Sequence, residues 1–299
     1  MRLMRHIIPI SGKDSLATAL VQRRRQPDLP YEYIFNDTGS EPPEVYAWLQ
    51  RCETYLGQPI QRIGESLEDI IWIKGFLPTA LQRYCTHLAK IQPMERWMGN
   101  DPVTLYLGIR ADERRVGYEQ RGRRSVTVVY PLVEEGYTIT DVWSLLDRED
   151  ILPPSFFWPS LYDLVTQMVR NNGIADPEAL YQRLPRYMFV SLFAGRSRSN
   201  CYFCWAQRLY EWVWLMETHP DLFARAREIE QGVGAKDFFW NDRFSLDDIA
   251  RQAPRIKEKR ARNVTKILLS MATPKLFDDD DTFAQKMLDI ASCGLFCGK

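Results

Sequence analysis

Over the first 150 residues, short apolar runs alternate with segments of helical periodicity. "HIIPIS" (6–11) reads as a buried strand, and "DSLATALVQRRRQ" (14–26) as a helix with Leu16, Leu20 and Val21 on one face. "YEYIFND" (31–37) is a second strand. "EPPEVYAWLQRCETYLG" (41–57) follows as a helix, with prolines in its first turn and Gly57 past its end. "PIQRI" (59–63), "VTLYLGIRAD" (103–112) and "SVTVVYPL" (125–132) supply a third, fourth and fifth strand. Strands alternating with helices predict an α/β fold, a parallel twisted sheet with helices on both faces. From about residue 152 the pattern changes. "LPPSFFWPSLYDLVTQMV" (152–169), "WAQRLYEWVWLMETHPDLFARAREIE" (205–230) and "SLDDIARQAPRIKEKRARNVTKILLS" (245–270) read as helices, several rich in aromatic residues. The expected division is an α/β domain over 1–150, a helical insertion with a CxxC segment over 151–205, and a helical C-terminal region over 206–299.

In a parallel sheet, ligands bind beyond the carboxyl ends of the strands. "SGKDS" (11–15) and "NDTGSE" (36–41) both sit at such ends. A strand that runs through small residues into a helix presents free N–H groups and the positive end of the helix dipole. Gly12 permits close approach by an anion, Ser11 and Ser15 offer hydroxyls, and Lys13 adds a mobile charge. Asp14 does not suit phosphate directly; it caps the helix or holds Mg²⁺ on the phosphate. The common nucleotide loop GxxxxGK[ST] is absent, and an Asp-capped strand–turn–helix with no ligand fits the spacing equally well.

Charge narrows the partners little. Lysine plus arginine and aspartate plus glutamate number 39 each, so a nucleic-acid surface must be local. Three basic clusters meet that condition: "RRVGYEQRGRR" (114–124), "RSRSN" (196–200) and "RIKEKRARNVTK" (255–266). Basic helical stretches are more often solvated faces. No apolar run reaches the roughly 18 residues that cross a membrane, and the first run is too short for a signal peptide, so no membrane partner and a cytoplasmic location are expected. Six cysteines in such a chain argue against a disulfide framework and for metal or redox chemistry. Cys201 and Cys204 form a CxxC that suits zinc, iron–sulfur, a redox disulfide or two plain buried thiols. Cys52 falls mid-helix and reads as core, and "DDDD" (278–281) reads as a helix start or solvated loop.

"SGKDS" resembles the SGGxDS loop of the PP-loop ATP pyrophosphatases, which cleave ATP between its α and β phosphates. Further stretches resemble one branch of that superfamily, the phosphoadenosine-phosphosulfate-reductase-like proteins. They are "FNDTGSEPPEVYAWL" (35–49), "RYCTHLAKIQP" (83–93), "LGIRADERR" (107–115), and "VYPLVEEGYTITDVWSLL" (129–146) followed by "SRSNCYFC" (197–204). Order and spacing hold over residues 6–205; one loop glycine stands where the family has two, and residues 155–190 look like an insertion. The resemblance implies an adenine nucleotide alpha hydrolase-like fold, with ATP and Mg²⁺ at the loop. Lys13, Asp14, Ser15 and Arg110 would then be catalytic, and Ser11, Gly12, Asp37, Thr38 and Asp112 would bind the nucleotide and its Mg²⁺. Asp37-Thr38-Gly39 as a turn and helix cap, and Arg110 as a structural ion pair, are the plainer readings.

The branch's iron–sulfur members join the later CxxC to a cysteine in the "R-x-C-T" segment, here Cys85. The resemblance therefore implies a 4Fe–4S cluster on Cys85, Cys201 and Cys204, with Cys293 of "SCGLFCGK" (292–299) as fourth ligand. A three-cysteine cluster with an open iron, and a zinc site completed by His87, are the alternatives; Cys297 is a further fourth candidate. The function expected is ATP-dependent sulfur transfer to nucleic acid, with DNA as acceptor, similar to the ATP pyrophosphatase component of DNA phosphorothioation systems. Its partners would be a sulfur donor such as a cysteine desulfurase and other subunits of a modification system. The competing expectations are a sulfonucleotide reductase with a tail cysteine nucleophile and a zinc-stapled, non-enzymatic nucleotide-binding subunit.

Overall fold

The computed structural model describes residues 3–114, 117, 125–233 and 238–272. They divide into two compact units: residues up to 74 with 81–154, and residues 75–80 with those from Ser155 onward.

The first unit holds five strands: β1 (Arg5–Pro9), β2 (Tyr31–Asn36), β3 (Ile60–Ile63), β4 (Val103–Tyr106) and β5 (Val126–Val129). They form one parallel sheet in the order β3-β2-β1-β4-β5. The helices are α1 (Lys13–Arg25), α2 (Pro43–Leu56), α3 (Leu67–Lys74), α4 (Tyr84–Thr86), α5 (Gln92–Met98), α6 (Pro131–Glu134) and α7 (Ile139–Arg148), with a π-helical turn at His87–Ile91 before α5. Alternation along the strands sends side chains to two covered faces. On one, Ile7, Ile34, Val103 and Leu105 bury against Met94 and Met98 of α5. On the other, His6, Tyr31 and Tyr106 cluster, and the Tyr31 hydroxyl donates to the Gln26 carbonyl at the end of α1, 2.9 Å. α1 packs beside α6 and α7. Both faces are thus closed, as the apolar strands require.

The chain steps outward from β1 to β2 to β3, then returns to the other side of β1 as β4. The order therefore switches between β1 and β4, and the loops leaving these neighbours flank a crevice of the kind that binds ligands. β4 ends at Tyr106, shorter than the run through Asp112 that the pattern suggests. At Leu107–Ile109 the chain turns, with the Ile109 N–H on the Leu107 carbonyl at 3.0 Å.

The second unit is helical: α8 (Pro159–Asn171), α9 (Pro177–Gln182), α10 (Arg186–Leu192), α11 (Leu209–Thr218), α12 (Pro220–Gly232) and α13 (Leu246–Ala272). α13 packs on α8 and α11, and α11 on α12. Trp158, Trp212, Trp214, Trp240, Phe193 and Phe203 form its fully buried interior. Two expected helices change shape. The first starts only at Pro159, and the second is split because Pro220 opens a new helix where His219 closes α11. Among the described residues no helix is long and apolar enough to cross a membrane.

Candidate active site

Ile10 follows directly on β1, its N–H donates to the Ile34 carbonyl of β2 at 2.7 Å, and the next residues form the turn into α1. The helix is capped at Gly12, and Asp14 lies inside its first turn, which corrects the expectation of an aspartate cap. Ser15 does the capping instead. Its Oγ accepts the N–H groups of Ser11 (2.8 Å) and Gly12 (3.1 Å) and donates to the Gly12 carbonyl (2.8 Å). Two loop donors that would face an anion thus converge on one hydroxyl oxygen.

Freed from capping, Asp14 faces the β4 loop. Its Oδ1 accepts from Arg110 at 3.0 Å and its Oδ2 from Lys13 Nζ at 2.9 Å. Arg110 is almost fully buried and also binds Asp112 (Nε to Oδ1, 2.9 Å) and Glu113 (3.2 Å). Burial pushes the Asp14 carboxyl up, but the Lys13 and Arg110 charges outweigh it and hold the group below the usual carboxylate range. Burial likewise opposes the Arg110 charge, and Asp14, Glu113 and Asp112 overcome it, raising the guanidinium above its ordinary value. Asp112 reaches onward to the Ile139 N–H at the start of α7, 3.3 Å. The crevice wall is therefore one charged chain from Lys13 to α7.

Asp37 and Thr38 follow β2. The Asp37 Oδ1 accepts from the Gly39 N–H (2.9 Å) and the Tyr46 hydroxyl (2.8 Å), with Arg62 4.0 Å from the other oxygen. Thr38 is buried and donates to Glu41 at 3.2 Å, and Lys90 on the π-helical turn lies 4.0 Å from the same carboxylate. Strand-end and "R-x-C-T" segments are thereby joined through Glu41 and Lys90, a link that no single motif displays.

Two glycines, unremarked in the sequence, set this geometry. A Cβ on Gly108 would lie 2.8 Å from backbone atoms of Asp14 and Ser15, so only glycine lets the β4 loop close on the first turn of α1. Gly64 has φ +145° and abuts the Asp37 backbone, where a side chain would overlap the Asp37 carbonyl. Their signals were the single glycines just past β4 and β3.

The CxxC lies in the second unit, between α10 and α11. Its intervening residues are anchors: Phe203 stacks on Trp240 at 5.1 Å, and Tyr202 meets Phe203 edge-on at 4.6 Å. The Cys204 N–H donates to the Cys201 carbonyl, 3.1 Å, so both thiols belong to one turn, Cys201 buried and Cys204 partly exposed. Side chains brace this irregular backbone. Arg196 is buried against the rings of Phe156 and Trp214, which themselves meet edge-on, and donates to the Asn200 (2.7 Å) and Cys201 (3.0 Å) carbonyls. Buried Glu211 accepts from the Ser197 N–H (2.8 Å), the Ser197 hydroxyl (2.7 Å) and the Arg208 N–H (2.9 Å), tying both ends of the loop together. Arg198 donates to the Ala206 carbonyl, 3.1 Å. Arg196 and Arg198 thus both bond carbonyls of the loop itself.

Paired thiols on one turn fit half of a thiolate-held metal or cluster site. Cys85 stands in the first unit, partly exposed, on α4. Cys293 and Cys297, with "DDDD" and most of 114–124, lie outside the described residues. Among the described residues no group of three or more His, Cys, Asp or Glu side chains is placed so that it could hold a metal ion. Cys52 is a core residue of α2, and burial pushes its thiol up to about 12.

A parallel sheet with an anion-ready loop at its switch point defines a nucleotide-binding α/β protein. The sequence pattern of the phosphoadenosine phosphosulfate reductase domain matches residues 5–163, just over half of the chain, and the chain belongs to that family, the reductase-like branch of the PP-loop superfamily. No curated protein matches the chain. Membership supports nucleotide-related sulfur chemistry in a family that is typically enzymatic.

Proposed function

We propose that the chain is an ATP-dependent sulfur-transfer enzyme that cleaves ATP to AMP and pyrophosphate and thereby activates nucleic acid, with DNA as acceptor. The observation that carries this reading is the "SGKDS" turn at the β1/β4 switch point, where Lys13 and Arg110 bracket an ionised Asp14. The acceptor, a phosphate oxygen of the nucleic-acid backbone, attacks the α-phosphorus of ATP. The bond from that phosphorus to the α–β bridging oxygen breaks, and pyrophosphate leaves with the electron pair. Lys13 and the Ser11 and Gly12 N–H groups meet the charge that develops there, and Ser15 yields them as an anion arrives. Asp14 would be the residue to hold Mg²⁺, which would supply charge neutralisation to the phosphates, and Arg110 orients the Asp14 carboxylate. Asp37 and Thr38 would lie near the adenosine, and Asp112, bound to Arg110, would face the same cleft from the β4 side.

A donor such as a cysteine desulfurase supplies the sulfur as a persulfide, and a dithiol reductant brings it to sulfide and is oxidised to its disulfide. The sulfide attacks the activated acceptor phosphorus while AMP departs with the acceptor's former oxygen. Cys85, Cys201, Cys204 and Cys293 would hold an iron–sulfur cluster, which would carry the sulfur; zinc is the lesser alternative. The second reading, a sulfonucleotide reductase with Cys293 as nucleophile, draws on the family match itself.

One experiment separates them. Pyrophosphate release from ATP, with and without DNA, is measured beside sulfite release from adenosine phosphosulfate and its 3′-phosphorylated form. The proposal expects pyrophosphate and no sulfite, with Lys13→Ala slowing release by about 10²–10³-fold. Sulfite formation with inert ATP, or a Lys13→Ala protein of full activity, would overturn it.

A further inference from the structure

The 27-residue helix α13 carries its charge in an ordered way. Of the cations between 251 and 266, Arg260 is buried and donates to the Leu192 carbonyl at 3.2 Å, and Lys257 is held by Glu217 at 2.7 Å. The others, Arg251, Arg255, Lys259, Arg262 and Lys266, are all exposed. Their spacings are four, four, three and four residues. At 3.6 residues per turn they fall within about 80° of the helix circumference, a single stripe roughly 22 Å long. Ile249, Ala253, Ala261, Val264 and Leu268 are buried on the opposite side. Asp248 pairs with Arg251, and Glu258 pairs with Arg262 at 2.7 Å. Arg255, Lys259 and Lys266 have no ion pair among the described residues.

We propose that this stripe is a docking surface for the phosphate backbone of duplex DNA; the assignment rests on the nucleic-acid acceptor argued above and gives it a place on the chain. Asp248 and Glu258 each offset one of the five cations, and the other three, Arg255, Lys259 and Lys266, stay unpaired and in line on a chain with no net charge. Cations four residues apart rise about 6 Å along the helix, comparable to the axial rise of two base-pair steps of DNA, about 6.8 Å. The contacts are electrostatic and carry no base readout, so the surface would hold DNA of any sequence.

The test uses the full chain and a fluorescent 20-base-pair duplex, with affinity measured against salt. Removing three phosphate contacts lowers the slope of log K on log salt by about 2.7 and weakens binding on the order of 10²-fold at 0.1 M salt. The stripe variant is Arg255→Gln with Lys259→Gln and Lys266→Gln. A control of equal charge change removes the exposed, scattered Arg148, Arg183 and Arg243. The inference expects the slope to fall in the first variant only, and expects Arg255→Lys to bind as wild type does. Equal losses in stripe and control variants, or unchanged binding in both, overturn the stripe while leaving ATP-driven DNA modification intact. A wild-type chain that ignores duplex DNA overturns the stripe and the DNA acceptor together. Pyrophosphate release from ATP alone, unchanged in the stripe variant, shows that the nucleotide site is untouched.

Discussion

The nucleotide crevice and the CxxC loop are built by opposite means. In the crevice the backbone does the placing: two adjacent parallel strands end together, and their loops bring Asp14 and Arg110, 96 residues apart, within 3.0 Å. In the CxxC loop the backbone is irregular, and buried side chains do the placing. Arg196 grips the carbonyls of Asn200 and Cys201, Glu211 ties Ser197 to Arg208, and Phe203 is pinned on Trp240. A site made by topology tolerates change in the residues around it and depends on a few charges. A site made by side-chain braces depends on each brace.

The largest effect expected on the crevice comes from Arg110→Ala. It leaves Asp14, Asp112 and Glu113 facing one another without the guanidinium that now binds all three. Removing one partner from a largely buried pair costs on the order of 3–5 kcal/mol. Urea unfolding should show that loss, and Arg110→Lys should recover only part of it, because an ammonium lacks the fork. The alkylation rate of Cys204 should stay at the wild-type value. A loss below about 1 kcal/mol would mean that the cluster behaves as a screened surface pair.

The next pair of substitutions sets one glycine against another. Gly108→Ala places a methyl 2.8 Å from the Asp14 and Ser15 backbone, and Gly195→Ala places one inside the buried Trp214 ring. Each overpacks its region by about 1–3 kcal/mol. Gly108→Ala should reduce ATP binding at least tenfold and leave Cys204 alkylation alone. Gly195→Ala should speed Cys204 alkylation severalfold, as the loop loosens, and leave ATP binding alone. If either variant moves both readouts, the two sites are not separately built.

The same contrast explains what could be read from the sequence. The sheet was legible because buried parallel strands are apolar along their length and end in small or polar turns, as "HIIPIS" and "YEYIFND" do. Five strands, the helices after the first two of them and the family itself follow from such local patterns, whereas α3 to α7 were not read. What escaped depends on tertiary approach. Gly108 and Gly64 look like ordinary loop glycines until the α1 and Asp37 backbones are set against them. Glu211 looks like one polar position in an aromatic helix, although its place three residues after Arg208, at a helix start, is a capping signal. The break at His219–Pro220 was readable from the proline alone, and the strong apolar periodicity on either side masked it.

The smallest effect concerns pH and tests whether the crevice charge is as tightly held as its geometry says. Asp14 has its carboxyl below the usual value of 3.8 because the Lys13 and Arg110 charges outweigh the burial that pushes it up. A carboxylate lowered on folding adds stability that is fully present above the unfolded value and is lost as pH falls through the folded one. Asp14→Asn removes that contribution but keeps the shape, and Arg110 retains Asp112 and Glu113, so the loss at neutral pH is about 1 kcal/mol. The melting temperature of wild type should therefore exceed that of Asp14→Asn by about 2–4 °C from pH 7 to about pH 5. The gap should narrow below about pH 4 as the wild-type carboxylate takes up its proton. A gap that persists undiminished to pH 2.5, or widens there, would show that the difference between the two proteins does not come from the carboxylate charge. The pairing with Arg110 would then be a consequence of the close approach at Gly108 instead of a cause of it.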